Sequence, residues 1–244
     1  MAHITRIFLP LCCVFALIAG CVSTPPPVKT TPVENRETSV MTEREAQVID
    51  VNEKLFKASF NGNASDLKNV LETEADVEVK MKDAWTALLL ASGMGHPEIM
   101  RVLIDAGVNV NEATSRGGTA LMWAAGARQN SAESVRVLLD AGAKVNAKTT
   151  DGCTALMDAV MHGNTSSVEV LLSAGANVNE QTEDGVTALM ESARLGHGEI
   201  VQLLLSSGAE MNIRNREGRT ALMEARDAAR DEIVRLLRDA GALD

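Results

Sequence analysis

Beyond the first twenty residues, the groups best able to do nucleophilic or metal chemistry are few: His96, His162, His197, Cys21 and Cys153. A thiol becomes a nucleophile when a base lies within hydrogen-bond reach and a third group orients that base. Cys153 falls in a loop and His162 at a helix end, and nothing in their spacing brings the two together. No paired-ligand spacing of the kind that holds zinc occurs, and no Gly-rich loop able to cradle phosphate. Asn109, Asn111 and neighbouring turn residues share the composition of calcium loops but not their alternating run of ligands. The remaining carboxylates are scattered over polar positions. The sequence therefore predicts no catalytic residue, no metal site and no cofactor, with a thiol enzyme acting through Cys153 as the weakest reading.

What must position these residues is a repeat. Thr-Ala-Leu recurs at Thr86, Thr119, Thr154, Thr187 and Thr220, at intervals of 33, 35, 33 and 33 residues. A fixed period of this length signals stacked units rather than one globular core. Six units follow: 48–82, 83–115, 116–150, 151–183, 184–216 and 217–244. Each reads as a first helix opened by Thr, a turn at Gly or Asn, and a second helix with apolar residues at i, i+3 and i+4, such as Ile200, Leu203 and Leu204. Gly107, Gly142, Gly175 and Gly208 stand just past the second helices, where a left-handed residue closes a helix end. Only 2% of the chain is aromatic, with no Tyr, while Ala, Leu, Val and Met supply most of the apolar fraction. The fold class is all-α.

The pattern DGxTALM, GHxEIVxLLL and GAxVN, carried over about 195 residues, resembles the ankyrin repeat, whose hallmark is Thr-Pro-Leu-His followed by two Ala. The chain departs from it with Ala in place of Pro, and with Leu89, Met122, Met157, Met190 and Met223 in place of His. Those five side chains are expected to fill the core, and the first and last units to act as end caps. The resemblance implies an ankyrin solenoid that binds a protein through a concave face made of finger tips and the exposed side of the first helices. Carried over position by position, the fingers contribute Lys82, Asp83, Trp85, Arg116, Asp151, Asp184 and Arg219. The first helices contribute Leu90, Met94, Trp123, Asp158, Met161, Glu191 and Arg194. Trp85 and Trp123 are the only two Trp residues of the chain, and Trp is enriched at binding hot spots. Trp85 is expected to be exposed, whereas Trp123 fits contact or packing equally. The same resemblance leaves room for an accessory or regulatory subunit of a cell-envelope enzyme.

The amino terminus reads as an export signal. Residues 1–20 hold Arg6, no acid, and an apolar stretch broken by Pro10 that is too short to span a bilayer. Ile18-Ala19-Gly20-Cys21 resembles the lipobox of bacterial lipoproteins, which implies cleavage before Cys21, acylation there, and an anchor of several acyl chains. Residues 22–47 are polar and Pro-rich, a disordered tether of about 30 Å if flexible and up to about 80 Å if extended. Val22 and Ser23, with no Asp, resemble outer-membrane sorting, so the expected location is the periplasmic face of an outer membrane. Loss of Arg6 with the signal takes the net charge of −10 one unit lower. Such a surface offers no basic stripe for nucleic acid. The expected partners are thus a protein and, through Cys21, the membrane. Mass measurement of the mature amino terminus checks the anchor: an acylated Cys21 is expected, and an unmodified Cys21 or cleavage elsewhere contradicts it.

Overall fold

The structure, a computed structural model, describes residues 43–73 and 75–243. The export segment, Cys21 and the tether up to residue 42 lie outside the described residues. Twelve α-helices run through the described residues. They pair as α1 (Glu43–Asn61) with α2 (Ala64–Leu71), α3 (Ala87–Met94) with α4 (Pro97–Asp105), and α5 (Ala120–Gly126) with α6 (Ser131–Asp140). The series continues as α7 (Ala155–Met161) with α8 (Thr165–Ser173), α9 (Ala188–Leu195) with α10 (Gly198–Ser206), and α11 (Ala221–Asp227) with α12 (Asp231–Asp239). First helices pack on first helices and second on second, each against the neighbouring unit, so the units form two parallel rows. No described helix is long and apolar enough to cross a membrane.

Local chemistry sets each hairpin. Thr86, Thr154, Thr187 and Thr220 sit in extended backbone, and each side chain accepts the N–H of the third helical residue at 3.3–3.4 Å. That is the capping role predicted for the repeated Thr. Thr119 departs from it: its hydroxyl is buried with no hydrogen-bond partner. The first helices α3, α5 and α7 are apolar nearly all round because each lies between two neighbours, whereas α9 and α11 carry charged residues as well. In α3 every residue from Ala87 to Gly93 is buried. The second helices instead bury a single stripe, Ile99 with Leu103, Val168 with Leu171, Ile200 with Leu204. Leu89, Met122, Met157 and Met190 are 1–4% exposed, the core role the sequence predicts for them. Met223 is half-buried, with no unit packed beyond α11 among the described residues. Gly142, at φ 87°, closes α6 in the left-handed region.

Two polar ladders add direction to this packing. At the fingers, the N–H groups of Ser115, Thr150, Glu183 and Arg216 donate to the carbonyls of Asp83, Arg116, Asp151 and Asp184 in the preceding finger, at 2.8–3.0 Å. On the far side of the hairpins, Asn146 donates through Nδ2 to the Gly175 carbonyl at 3.1 Å and accepts from the Asn177 N–H at 2.8 Å. Asn111 and Asn179 make the same two bonds to the units that follow them. Asn111 is therefore a staple between units, and its likeness to a calcium ligand is one of composition only.

The boundary between tether and array differs from the sequence reading. Residues 43–47, placed in the tether, are helical, and α1 reaches 19 residues. The segment EREAQ lacks apolar periodicity but consists of strong helix formers, and it continues a helix anchored further along by the buried Leu55, Phe56 and Ala58.

Candidate protein-binding face

The fingers and first helices share one side of the array. Each complete finger is a tight turn: the N–H of Thr149 donates to the Cys153 carbonyl at 3.0 Å, and the Cys153 N–H to Thr149 Oγ1 at 3.0 Å. Gly117, Gly152, Gly185 and Gly218 take the left-handed position two before each Thr, with φ between 77° and 81°. In the second unit this position is Ala84, and both Asp83 and Ala84 stand at φ 61° within a short 3-10 turn, Lys82–Ala84. Left-handed backbone without glycine is strained, and such strain concentrates at functional positions. The residue that follows is Trp85.

Trp85 is half-buried rather than exposed as the sequence suggested, because its ring packs on Trp123 of the next unit. The ring centroids lie 4.7 Å apart at 48°. Tilted aromatic pairs of this kind contribute about 0.5–1.5 kcal/mol beyond their buried area. Packing and surface presentation are thus both served by one pair. Met94 on α3 and Met161 on α7 are half-buried on either side of α5, and Lys82 and Asp83 are exposed at the finger tip. Leu90 is a correction: it is 2% exposed, held between α1 and the Trp123-bearing α5, and it offers no surface to a partner.

Most charged candidates are already joined within the chain. Arg116 pairs with Asp151 at 2.9 Å and Asp184 with Arg216 at 3.4 Å, finger to finger. Glu191 is bridged by Arg194, through Nε at 3.1 Å and through a second, shorter contact from its Nη2. Arg219 donates to Glu224 at 2.6 Å and Asp227 at 2.7 Å. Among the described residues Lys82, Asp83 and Asp158 are not so joined, and of the three only Asp158 is half-buried. It occupies on α7 the place that Trp123 holds on α5 and Glu191 on α9, and among the described residues its carboxylate has neither hydrogen bond nor ion pair. Burial pushes Asp158 up to about 7.

A shallow cavity of about 350 Å³ opens between the fourth and fifth units. Cys153, Met157, Met161 and Val186 give it an apolar floor, and Asp151, Glu183, Asp184 and Glu191 an acidic rim. His162 does not line it. Its ring lies over Gly126, where an added Cβ would approach it to 3.1 Å, and its Nδ1 is 2.9 Å from the Asp158 carbonyl oxygen. His96 and His197 lie in the same way over Gly62 and Gly163 of their preceding units. Burial, with the Arg230 cation nearby, pushes His197 below its ordinary value. The three imidazoles are spread one to a unit seam, which is a packing role. Cys153 is 1% exposed, a poor position for a nucleophile. No cluster of three His, Cys, Asp or Glu residues able to hold a metal occurs among the described residues.

Comparison with known proteins agrees with this architecture. The ankyrin repeat family, described as three copies, matches residues 55–149, 127–182 and 156–243. The chain belongs to the ankyrin repeat family. Among solved structures it is similar to an ankyrin repeat domain from Acinetobacter baumannii, with 31% identity and a TM-score of 0.68, covering 78% of this chain and 98% of that one. It is also similar to a chain in the structure of a predatory endopeptidase of Bdellovibrio bacteriovorus in complex with an immunity protein. There the identity is 26% and the TM-score 0.69, over 77% of this chain and 97% of that one. No curated protein matches the sequence.

The raised Asp158 value has a thermodynamic sign. Below about pH 4 the carboxyl is neutral in both folded and unfolded chains and contributes nothing. As pH rises from there to about 7, the unfolded chain ionises first, so stability is lost across that window and the loss levels off above it. Asp158→Asn removes the effect. Its stability relative to the parent is expected to increase between pH 5 and pH 8, by on the order of 1–2 kcal/mol after allowance for partial exposure. Urea midpoints of both chains at the two pH values check this, and a difference independent of pH contradicts it.

Proposed function

We propose that this chain is an exported, lipid-anchored ankyrin array that holds a protein partner on its concave face and acts as a non-catalytic scaffold. The observation that carries the reading is the contact between Trp85 and Trp123. In a chain with two Trp and no Tyr, both large aromatic rings come from different units to one place on the finger-bearing side, beside the strained Asp83–Ala84 turn. Rigid aromatic surface with exposed charge around it matches the aromatic centre and polar rim of a protein interface. The signal-like start, Cys21 and the polar tether support display from a membrane surface, with the periplasmic face of an outer membrane as the proposed location.

A second reading is narrower: the partner is an enzyme of the cell envelope, and the array is its accessory or regulatory subunit. It draws support from the similarity to a chain of the endopeptidase and immunity-protein complex.

The test is a photo-crosslinking side chain placed at the exposed Lys82 in intact cells, followed by purification of the captured protein and titration against variants. Trp85→Ala breaks a packed pair, so it is expected to cost about 1–2 kcal/mol of folding stability. It is also expected to weaken partner binding by tenfold or more per folded molecule. Loss of stability with unchanged affinity per folded molecule would remove the Trp pair from the interface.

A further inference from the structure

Three dipeptides among the described residues place Gly directly after a side-chain amide or acid of the right length to cyclise: Asn61-Gly62, Asp151-Gly152 and Asp184-Gly185. With no side chain on the second residue to obstruct it, the backbone nitrogen reaches the Cγ of the first and closes a five-membered imide. In the two finger dipeptides that nitrogen is tied down, since Gly152 and Gly185 donate their N–H to the Thr149 and Thr182 carbonyls at 2.9 Å. At the end of α1 it is not. The Ala58 carbonyl, four residues before Gly62, is taken by the Asn63 N–H at 3.1 Å, and the Gly62 N–H has no acceptor among the described residues. The corresponding glycines of later units, Gly95, Gly163 and Gly196, donate to Ser92, Val160 and Ser192 at 3.0–3.1 Å.

The side chain is as open as the nitrogen. Asn61 is exposed and its amide has no hydrogen bond among the described residues, whereas Asn111, Asn146, Asn164 and Asn179 donate theirs to carbonyls of a neighbouring unit. Asn61 is also the last residue of α1, so bringing its Cγ to the Gly62 nitrogen frays a helix end rather than opening a helix interior. The residue that follows occupies a tight seat. Gly62 stands at φ 73° beneath the His96 ring, where an added Cβ would come within 2.8 Å, and His96 Nε2 lies 3.0 Å from the Phe60 carbonyl oxygen. This one turn therefore carries both the hairpin of α1 with α2 and its contact with the second unit.

We infer that Asn61 is a site of spontaneous covalent modification, deamidation through a cyclic imide with water as the only reagent, and that its conversion loosens the first unit. Hydroxide takes the Gly62 N–H proton, the nitrogen bonds to Asn61 Cγ, and the Cγ–Nδ2 bond breaks to release ammonia. Water then opens the ring at either carbonyl. Attack at Cγ breaks its bond to nitrogen and leaves an aspartate. Attack at the main-chain carbonyl breaks the original peptide bond and leaves an isoaspartate, whose backbone runs through Cβ and Cγ. No atom changes oxidation state. Either product puts a carboxylate at the C-terminal end of α1, where the helix carbonyls already carry partial negative charge. The isoaspartate also lengthens the chain at the seat beneath His96. The hairpin of α1 and α2 is then held less firmly against α3 and α4, the one described unit that it packs on.

The full chain in detergent micelles is held at physiological temperature, at neutral and at alkaline pH, beside a synthetic peptide of residues 58–68 as the unfolded reference. Proteolysis and fragment mass spectrometry then follow the amide-to-acid mass gain at each Asn. Asn61 is expected to convert within about tenfold of the peptide's rate, at least tenfold faster than Asn52, Asn63 and Asn69, and faster at alkaline pH, giving both products. A rate more than a hundredfold below that of the peptide, or another Asn converting first, overturns the site. Hydrogen exchange of the converted chain is expected to be at least fivefold faster over α1 and α2, with α7 to α10 unchanged. Asn61→Gln, aged in the same way, is expected to keep the exchange of fresh protein. Exchange over α1 and α2 that conversion leaves unaltered, or that is equally accelerated in aged Asn61→Gln, overturns the loosening.

Discussion

A two-helix unit of about 33 residues has more apolar surface than it can cover by itself. The stripe of Ile200 and Leu204 on α10, and the nearly all-apolar α3, find cover only against the next copy of the same hairpin. Everything else in the array follows from that requirement. Helices of equal rank must lie side by side, and small residues such as Ala87, Ala120, Ala155, Ala188 and Ala221 open each first helix in a buried position. The fingers then come into line closely enough for the backbone of one to bond that of the next. The Asn staples fix the spacing on the opposite side.

The same constraint turns sequence register into surface geography. A residue four positions after Thr in one unit is a neighbour of its counterpart in the next, so substitutions at one register accumulate as a row. Along this row the character changes from apolar, with Leu90 and Trp123, to acidic, with Asp158, Glu191 and Glu224. Arg194 and Arg219 close the part-buried Glu191 and Glu224 from within their own units. Trp123 of the Trp pair and Asp158 stand side by side in this row, at the point where its character changes.

Much of the fold was legible in the sequence because the period is strict and each signal is local: Thr caps, Gly closes, Met and Leu fill. The parts that were not legible depend on relations between units of different register. Trp85 precedes its Thr and Trp123 follows its own by four, so a reading by equivalent positions treats them separately, and only the three-dimensional stagger of finger and helix brings their rings together. Leu90 shares its register with Asp158, but its flanks are the 19-residue α1 and the Trp123-bearing α5, and they bury it. The paired state of Arg116, Asp151, Asp184 and Arg219 was hidden for the same reason, since their partners lie in the adjacent finger or a turn further along the helix. Residues 43–47 were missed because helix propensity without apolar periodicity was a weaker signal than the polar composition around it.

Stability that comes from neighbours is distributed unevenly, since the end units have one neighbour and the inner ones two. Native-state hydrogen exchange resolved to single amides of the full chain measures that distribution directly. If burial against adjacent units holds the array together, the amides of α5 to α10 exchange slowest, and those of α1 and α12 open first at markedly lower free energy. Uniform protection from Val51 to Leu243 would mean that the chain folds as one indivisible core, and would contradict the account.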